Sequence, residues 1–152
     1  IALLEAKGFT QKDFASSHPA GKLGKKLITQ VEDLMHKGNA VPKVSPDTIL
    51  YKALLEITKK NLGITLIVEK TRLVGIFTDG DLRRCINKKV DIQNTKIKDV
   101  MTKKFKTINS DALAIDAANI MEDNKIFTLV VIDKNKHIGV ISMHDLIEAR
   151  IL

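Results

Sequence analysis

The chain has 152 residues, 44% of them hydrophobic, and a formal net charge of +7. That is enough apolar content for a packed core, which excludes global disorder, and no apolar run reaches the ~20 residues of a membrane helix. The cationic excess points to anionic partners, but the lysines are dispersed and one Tyr with no Trp leaves little for base stacking, so a dedicated nucleic-acid binder is not expected.

In chain order, "IALLEAKGF" reads as the last turns of a helix closed by Gly8, and "SSHPAGKLGKKL" as a small-residue loop leading into a basic helix. Residues 1–30 cannot bury a core alone and are expected to be the tail of something larger. From residue 31 onward the chain repeats. "GIFTDGDLRR" (Gly75 to Arg84) returns as "GVISMHDLIEAR" (Gly139 to Arg150), so that Gly75 matches Gly139, Thr78 matches Ser142 and Asp81 matches Asp145 at an offset of 64. Asp33-Leu34-Met35 matches Asp99-Val100-Met101 at an offset of 66, and the paired strands "ITLIVE" and "FTLVVID" align Thr65 with Thr128.

Each copy parses alike. A short helix carries Val31, Leu34 and Met35, or Ile97, Val100 and Met101. An extended stretch follows, then Ser45-Pro46-Asp47 or Asn109-Ser110-Asp111 as signals that start a helix. Those helices place Ala53 and Ile57, or Ala117 and Met121, at helical spacing. Two β runs follow, joined by turns at Glu69 to Arg72 and Asp133 to Lys136, and a last helix starts beside Thr78 or Ser142. One such unit is small for independent stability; two packed sheet to sheet would share a core and place two equivalent clefts between them.

The steps Thr78–Asp81 and Ser142–Asp145 are the candidate sites. A spacing of three puts hydroxyl and carboxylate on one side of a first helical turn, where the carboxylate can accept from both hydroxyls of a cis-diol and free backbone N–H groups can meet an anion. The same residues also suit plain helix caps and first-turn acids. Arg83 and Arg84 are candidates for phosphate and His144 for a second contact, though each also suits a solvated helix face. Asp79 with Asp81 as a metal or acid–base pair finds no His/Cys cluster or third carboxylate at ligand spacing. The single Cys85 forms no internal disulfide; it reads as a packing residue and fits a cytoplasmic setting.

These motifs, with "DLM", "VSPD", "TLIV" and the twice-repeated Gly-x-x-Thr/Ser-x-x-Asp-Leu, resemble the Bateman module, a pair of cystathionine β-synthase (CBS) domains. The resemblance covers residues 31–152. It implies an α+β fold of two tandem β-α-β-β-α units with pseudo-two-fold symmetry, divided at 31–90 and 91–152. It also implies that the hydroxyl of Thr78 or Ser142 meets phosphate or sugar while Asp81 or Asp145 takes ribose. The extended stretches would hold a base, making Lys43, Val44 and Thr107 candidates by position, with Thr65 and Thr128 opening the next strands. "SSHPAGKLGKKL", "MHKGNAVP" and "TKKNLG" are further similar to the arabinose 5-phosphate isomerases that join a sugar isomerase (SIS) domain to a CBS pair on the route to Kdo. That resemblance implies a catalytic role for His18 in the intact enzyme only, with Ala20 standing where the family has Gly. It implies no required cofactor and a regulatory ligand, either AMP, ADP or ATP or CMP-Kdo, and a homo-oligomer (a dimer of CBS pairs, a tetramer of the parent). A structural dimerisation module without ligand is the competing expectation.

Overall fold

The computed structural model describes residues 22–152. Its elements are α1 (Lys22–Ile28), α2 (Val31–Leu34), β1 (His36–Lys37), β2 (Lys43–Val44), α3 (Leu50–Lys60), β3 (Ile64–Glu69), β4 (Arg72–Thr78), α4 (Asp79–Asn87), β5 (Thr107–Asn109), α5 (Ala114–Asn124), β6 (Thr128–Asp133), β7 (Lys136–Ser142) and α6 (Met143–Glu148), with single 3-10 turns at Gly38–Ala40 and Ile97–Asp99. The strands form a three-stranded sheet, β2-β3-β4, and a four-stranded sheet, β1-β7-β6-β5.

Side-chain alternation along the strands builds four layers. In β3, Ile64 and Leu66 meet Val130 and Val140 of the other sheet, while Ile67 joins Leu50, Ala53 and Phe77 beneath α3. In the second copy Leu129, Val131 and Ile141 pack with Ala117, Met121 and Leu146 beneath α5 and α6. Helices thus cover the outer faces and the sheets share the middle, as two apolar-faced units require. Both hairpins turn where expected, with Glu69 opposite Arg72 and Asp133 opposite Lys136. Lys70, Lys134 and Asn135 take the left-handed conformation at the tips, as tight hairpins demand.

The lead-in of each repeat, however, belongs to the body of the other. Val31 N donates to Ala112 O at 2.8 Å, and its equivalent Ile97 N donates to Thr48 O at 2.8 Å. Ala114 N donates to Thr29 O, and its equivalent Leu50 N to Thr95 O. Val31 is buried in the core of the second copy, and Ile97 in that of the first. β1 completes the second sheet by pairing His36 with Val140, and the corresponding bridge joins Thr102 to Ile76.

This exchange corrects two sequence expectations. Ser45-Pro46-Asp47 and Asn109-Ser110-Asp111 do not cap the helices, which begin at Leu50 and Ala114 after Ile49 and Leu113, neither of which makes a side-chain cap. The exposed first N–H groups are met instead by carbonyls of the crossing lead-ins. The short helix expected at Ile97 to Met101 is only a 3-10 turn.

Candidate functional site

The two hydroxyl–carboxylate steps open into a shared cleft of about 1240 Å³. Thr78 and Asp81 lie on one wall, Ser142 and Asp145 on the other.

Each step is a capping box. Thr78 N donates to Asp81 Oδ2 at 2.9 Å, and Asp81 N to Thr78 Oγ1 at 3.4 Å. Ser142 N donates to Asp145 Oδ2 at 2.8 Å, and Asp145 N to Ser142 Oγ at 3.2 Å. The cap reading of the sequence therefore holds in both copies, and it uses only one oxygen of each carboxylate. The other oxygen is held by a crossing segment. Thr102 Oγ1 donates to Asp81 Oδ1 at 2.8 Å, and its equivalent His36 donates from Nε2 to Asp145 Oδ1 at 2.8 Å. Arg84 adds a bond to Asp81 Oδ1 at 2.5 Å. Asp81 is only 5% exposed, so this network fixes both the helix start and the direction of the carboxylate.

The helix N-termini offer less to an anion than expected. Asp79 N is taken by Gly63 O and Met143 N by Phe127 O, so strand ends and caps consume N–H groups assigned to a ligand. Charge comes from side chains instead: Lys60, Arg83, Arg84, Lys104, Lys106 and Lys125 line the cleft against Asp79, Asp81, Asp145 and Glu148. Phe105 and Phe127 line it too, Phe127 being 66% exposed.

Of the remaining candidates, Thr128, Arg83, Arg84 and His144 line the cleft; His144 is exposed and pairs with Glu148 at 3.2 Å. Lys43 and Val44 in β2, and Thr107 in β5, do not line it; they run beside β3 and β6 in parallel ladders. Thr65 does not match Thr128. The register pairs Ile64 with Thr78 and Thr128 with Ser142, so Thr128 corresponds to Ile64 and Thr65 to Leu129. A slip of one residue sends a strand side chain to the opposite face. Thr65 is fully buried, and its Oγ1 has no partner among the described residues. Thr65→Val is therefore expected to raise stability by about 1 kcal/mol in urea unfolding and to leave ligand affinity unchanged; a loss of affinity would return Thr65 to the site.

Cys85 packs from the inner face of α4 into the core of the first copy, and burial pushes its thiol up. No group of three metal-ligating side chains occurs among the described residues, and none of their helices is long and apolar enough to cross a membrane. His18 and the loop around it lie outside the described residues. The sequence reading missed His36, Thr102, Phe127 and the lysines of the crossing segment. The 66-residue offset that aligns Leu34-Met35-His36 with Val100-Met101-Thr102 was the available signal for the first two.

The CBS-domain profile matches residues 31–88 and 97–152. The chain is 50% identical over its whole length to an arabinose 5-phosphate isomerase, KdsD, of Yersinia pestis, covering 47% of that protein. It thus spans about half the length of the curated relatives it matches. Among solved structures, the CBS domain NE2398 superposes with a TM-score of 0.74 at 24% identity, covering 82% of this chain and 98% of that one. CBSX2, solved in complex with AMP, superposes with a TM-score of 0.69 at 24% identity, covering 80% and 95%.

Proposed function

The chain belongs to the CBS-domain family, as a tandem pair, and from that premise we propose that its cleft is a regulatory site for a nucleotide, an adenine nucleotide first. The observation that carries this reading is the convergence of Thr78–Asp81 and Ser142–Asp145 on one cleft with more cationic than acidic side chains. A ribose diol donates to the lone pairs that remain on Asp145, whose oxygens each accept one bond, from Ser142 N and from His36, whereas those of Asp81 are filled by the cap, Thr102 and Arg84; phosphates meet Arg and Lys, and Phe127 offers a ring face to a base. CBSX2 and a CBS protein of Pyrobaculum aerophilum, both solved with AMP, support the ligand class.

Regulation follows from the exchanged lead-ins. The oxygen a ligand would approach on Asp145 is held by His36, and His36 ends the lead-in that descends from the N-terminal segment. Ligand on the carboxylate therefore bears directly on the linker to whatever precedes it, which is a differential contact of the kind allosteric coupling needs. On the identity to KdsD, that preceding part is an aldose–ketose isomerase interconverting D-ribulose 5-phosphate and D-arabinose 5-phosphate in the cytoplasm, with His18 contributing to its active site. CMP-Kdo, downstream of that product, is the second ligand to test.

A second reading, dimerisation with an empty cleft, is favoured by the exposed Tyr51 and Leu55 on α3, Ile86 on α4 and Ile147 on α6. Thermal unfolding against AMP, ADP, ATP and CMP-Kdo separates the two. A ligand at 100 times its dissociation constant is expected to add about 2.7 kcal/mol, a rise of several degrees in Tm. No shift with any of the four supports the dimerisation module.

A further inference from the structure

The two halves of the cleft share a backbone plan but not a charge. At the 64-residue offset, Arg84 corresponds to Glu148, Arg83 to Ile147 and Lys60 to Asn124. The half around α4 holds these three cations and receives Lys104 from the crossing segment, two residues beyond the Thr102–Ile76 bridge, against Asp79 and Asp81; Lys106 leads into β5 of the other sheet. The half around α6 has Lys125 against Asp145 and Glu148. Neutralisation differs in the same sense. Asp81 is bonded by a guanidinium, whereas Asp145 is bonded by the imidazole of His36, and the residue in the place of Arg84 is itself an acid. A phosphate entering the α4 half meets a cationic field; entering the α6 half it meets two carboxylates, paired with the imidazoles of His36 and His144, and one lysine. Ring area runs the other way, since exposed Phe127 stands where the first half has Gly63.

We propose that the cleft takes one phosphorylated ligand per chain, its phosphate held in the α4 half by Arg83, Arg84 and Lys104, and that the α6 half holds no phosphate of its own. This rests on the nucleotide reading of the cleft. The pseudo-symmetry would have allowed two equivalent sites; the residues at 84 and 148 decide against it.

The test is calorimetric titration of the 152-residue chain with AMP and with ATP. One site per chain is expected. Arg84→Gln, and separately Arg83→Gln, which touches no cap, are expected to weaken binding about tenfold or more. Glu148→Gln should leave affinity unchanged or improve it. Ile147→Arg with Glu148→Arg, which rebuilds the α4 pattern in the α6 half, should raise the stoichiometry toward two. Two equal sites in the unaltered chain, or affinity lost with Glu148→Gln and kept with both arginine variants, overturns the single-site assignment while the nucleotide reading stands. No heat with either nucleotide at millimolar concentration overturns the nucleotide reading, and the assignment with it.

Discussion

Gly139→Ala is expected to destabilise the chain by about 2–3 kcal/mol in urea unfolding, although glycine-to-alanine changes in an ordinary strand position usually stabilise by several tenths. Gly139 sits in β7 opposite Val131, at the register shift of the β6–β7 hairpin, with the lead-in of the first repeat lying across it. A Cβ there would collide with the carbonyl oxygen of His36 and come within 3.2 Å of Met35 Sδ. The obstacle is backbone that pairs with β7 through His36 and Val140, so it cannot retreat without breaking the sheet edge. Gly75 holds the equivalent place beneath the other crossing segment. A Cβ there lies 2.5 Å from Met101 Sδ and 3.1 Å from Thr102 O. A thioether can turn aside, so Gly75→Ala is expected to cost less than Gly139→Ala. A neutral or stabilising Gly139→Ala would contradict the exchange of lead-ins, because only a crossing segment explains why a side chain is forbidden there.

Asp81→Ala is expected to cost about 2–4 kcal/mol. The substitution removes a capping box and leaves the Thr78 N–H and the Thr102 hydroxyl without their acceptor at a nearly buried position. Arg84→Gln should cost under ~1 kcal/mol by comparison, since its guanidinium is largely exposed and surface pairs contribute little. Asp81→Asn keeps shape and one acceptor oxygen and should fall between the two. The order matters for interpreting any binding experiment: loss of affinity in Asp81→Ala mixes a damaged fold with a missing ligand contact. Affinity is therefore compared in Asp81→Asn and Arg84→Gln, well below their unfolding temperatures. A cost below 1 kcal/mol for Asp81→Ala would mean that the carboxylate is not bound to both the cap and Thr102.

The repeat, the hairpins and the two Thr/Ser–Asp steps were legible in the sequence because each is written in contiguous residues whose spacing carries its own meaning. The exchange of lead-ins was not. Its pairs, Gln30 with Leu113 and Ile49 with Lys96, join positions 83 and 47 residues apart, and no local periodicity marks such a contact. Its one trace was the change of offset from 66 at Met35 and Met101 to 64 beyond them. The helix-start signals misled for the same reason: proline and small polar residues suit a turn before a helix, and the donors they seemed to serve are met by another repeat's backbone. Thr65 and Thr128 were aligned by residue type, yet hairpin register, set by Ile64 opposite Thr78 and Thr128 opposite Ser142, decides which face a strand residue takes. The cleft lysines and Phe127 are individually ordinary, and only folding brings them to one surface.

The most direct test of the nucleotide cleft is the amide spectrum of the 15N-labelled chain titrated with AMP. Shifts concentrated at Thr78 to Arg84, at Thr102 to Lys106 and around Phe127 and Ser142 are the expected result, because these segments wall the cleft. Saturable shifts confined to other surfaces, such as the outer faces of α3 and α5, or no saturable shift at all, would contradict a nucleotide site between the two carboxylate steps.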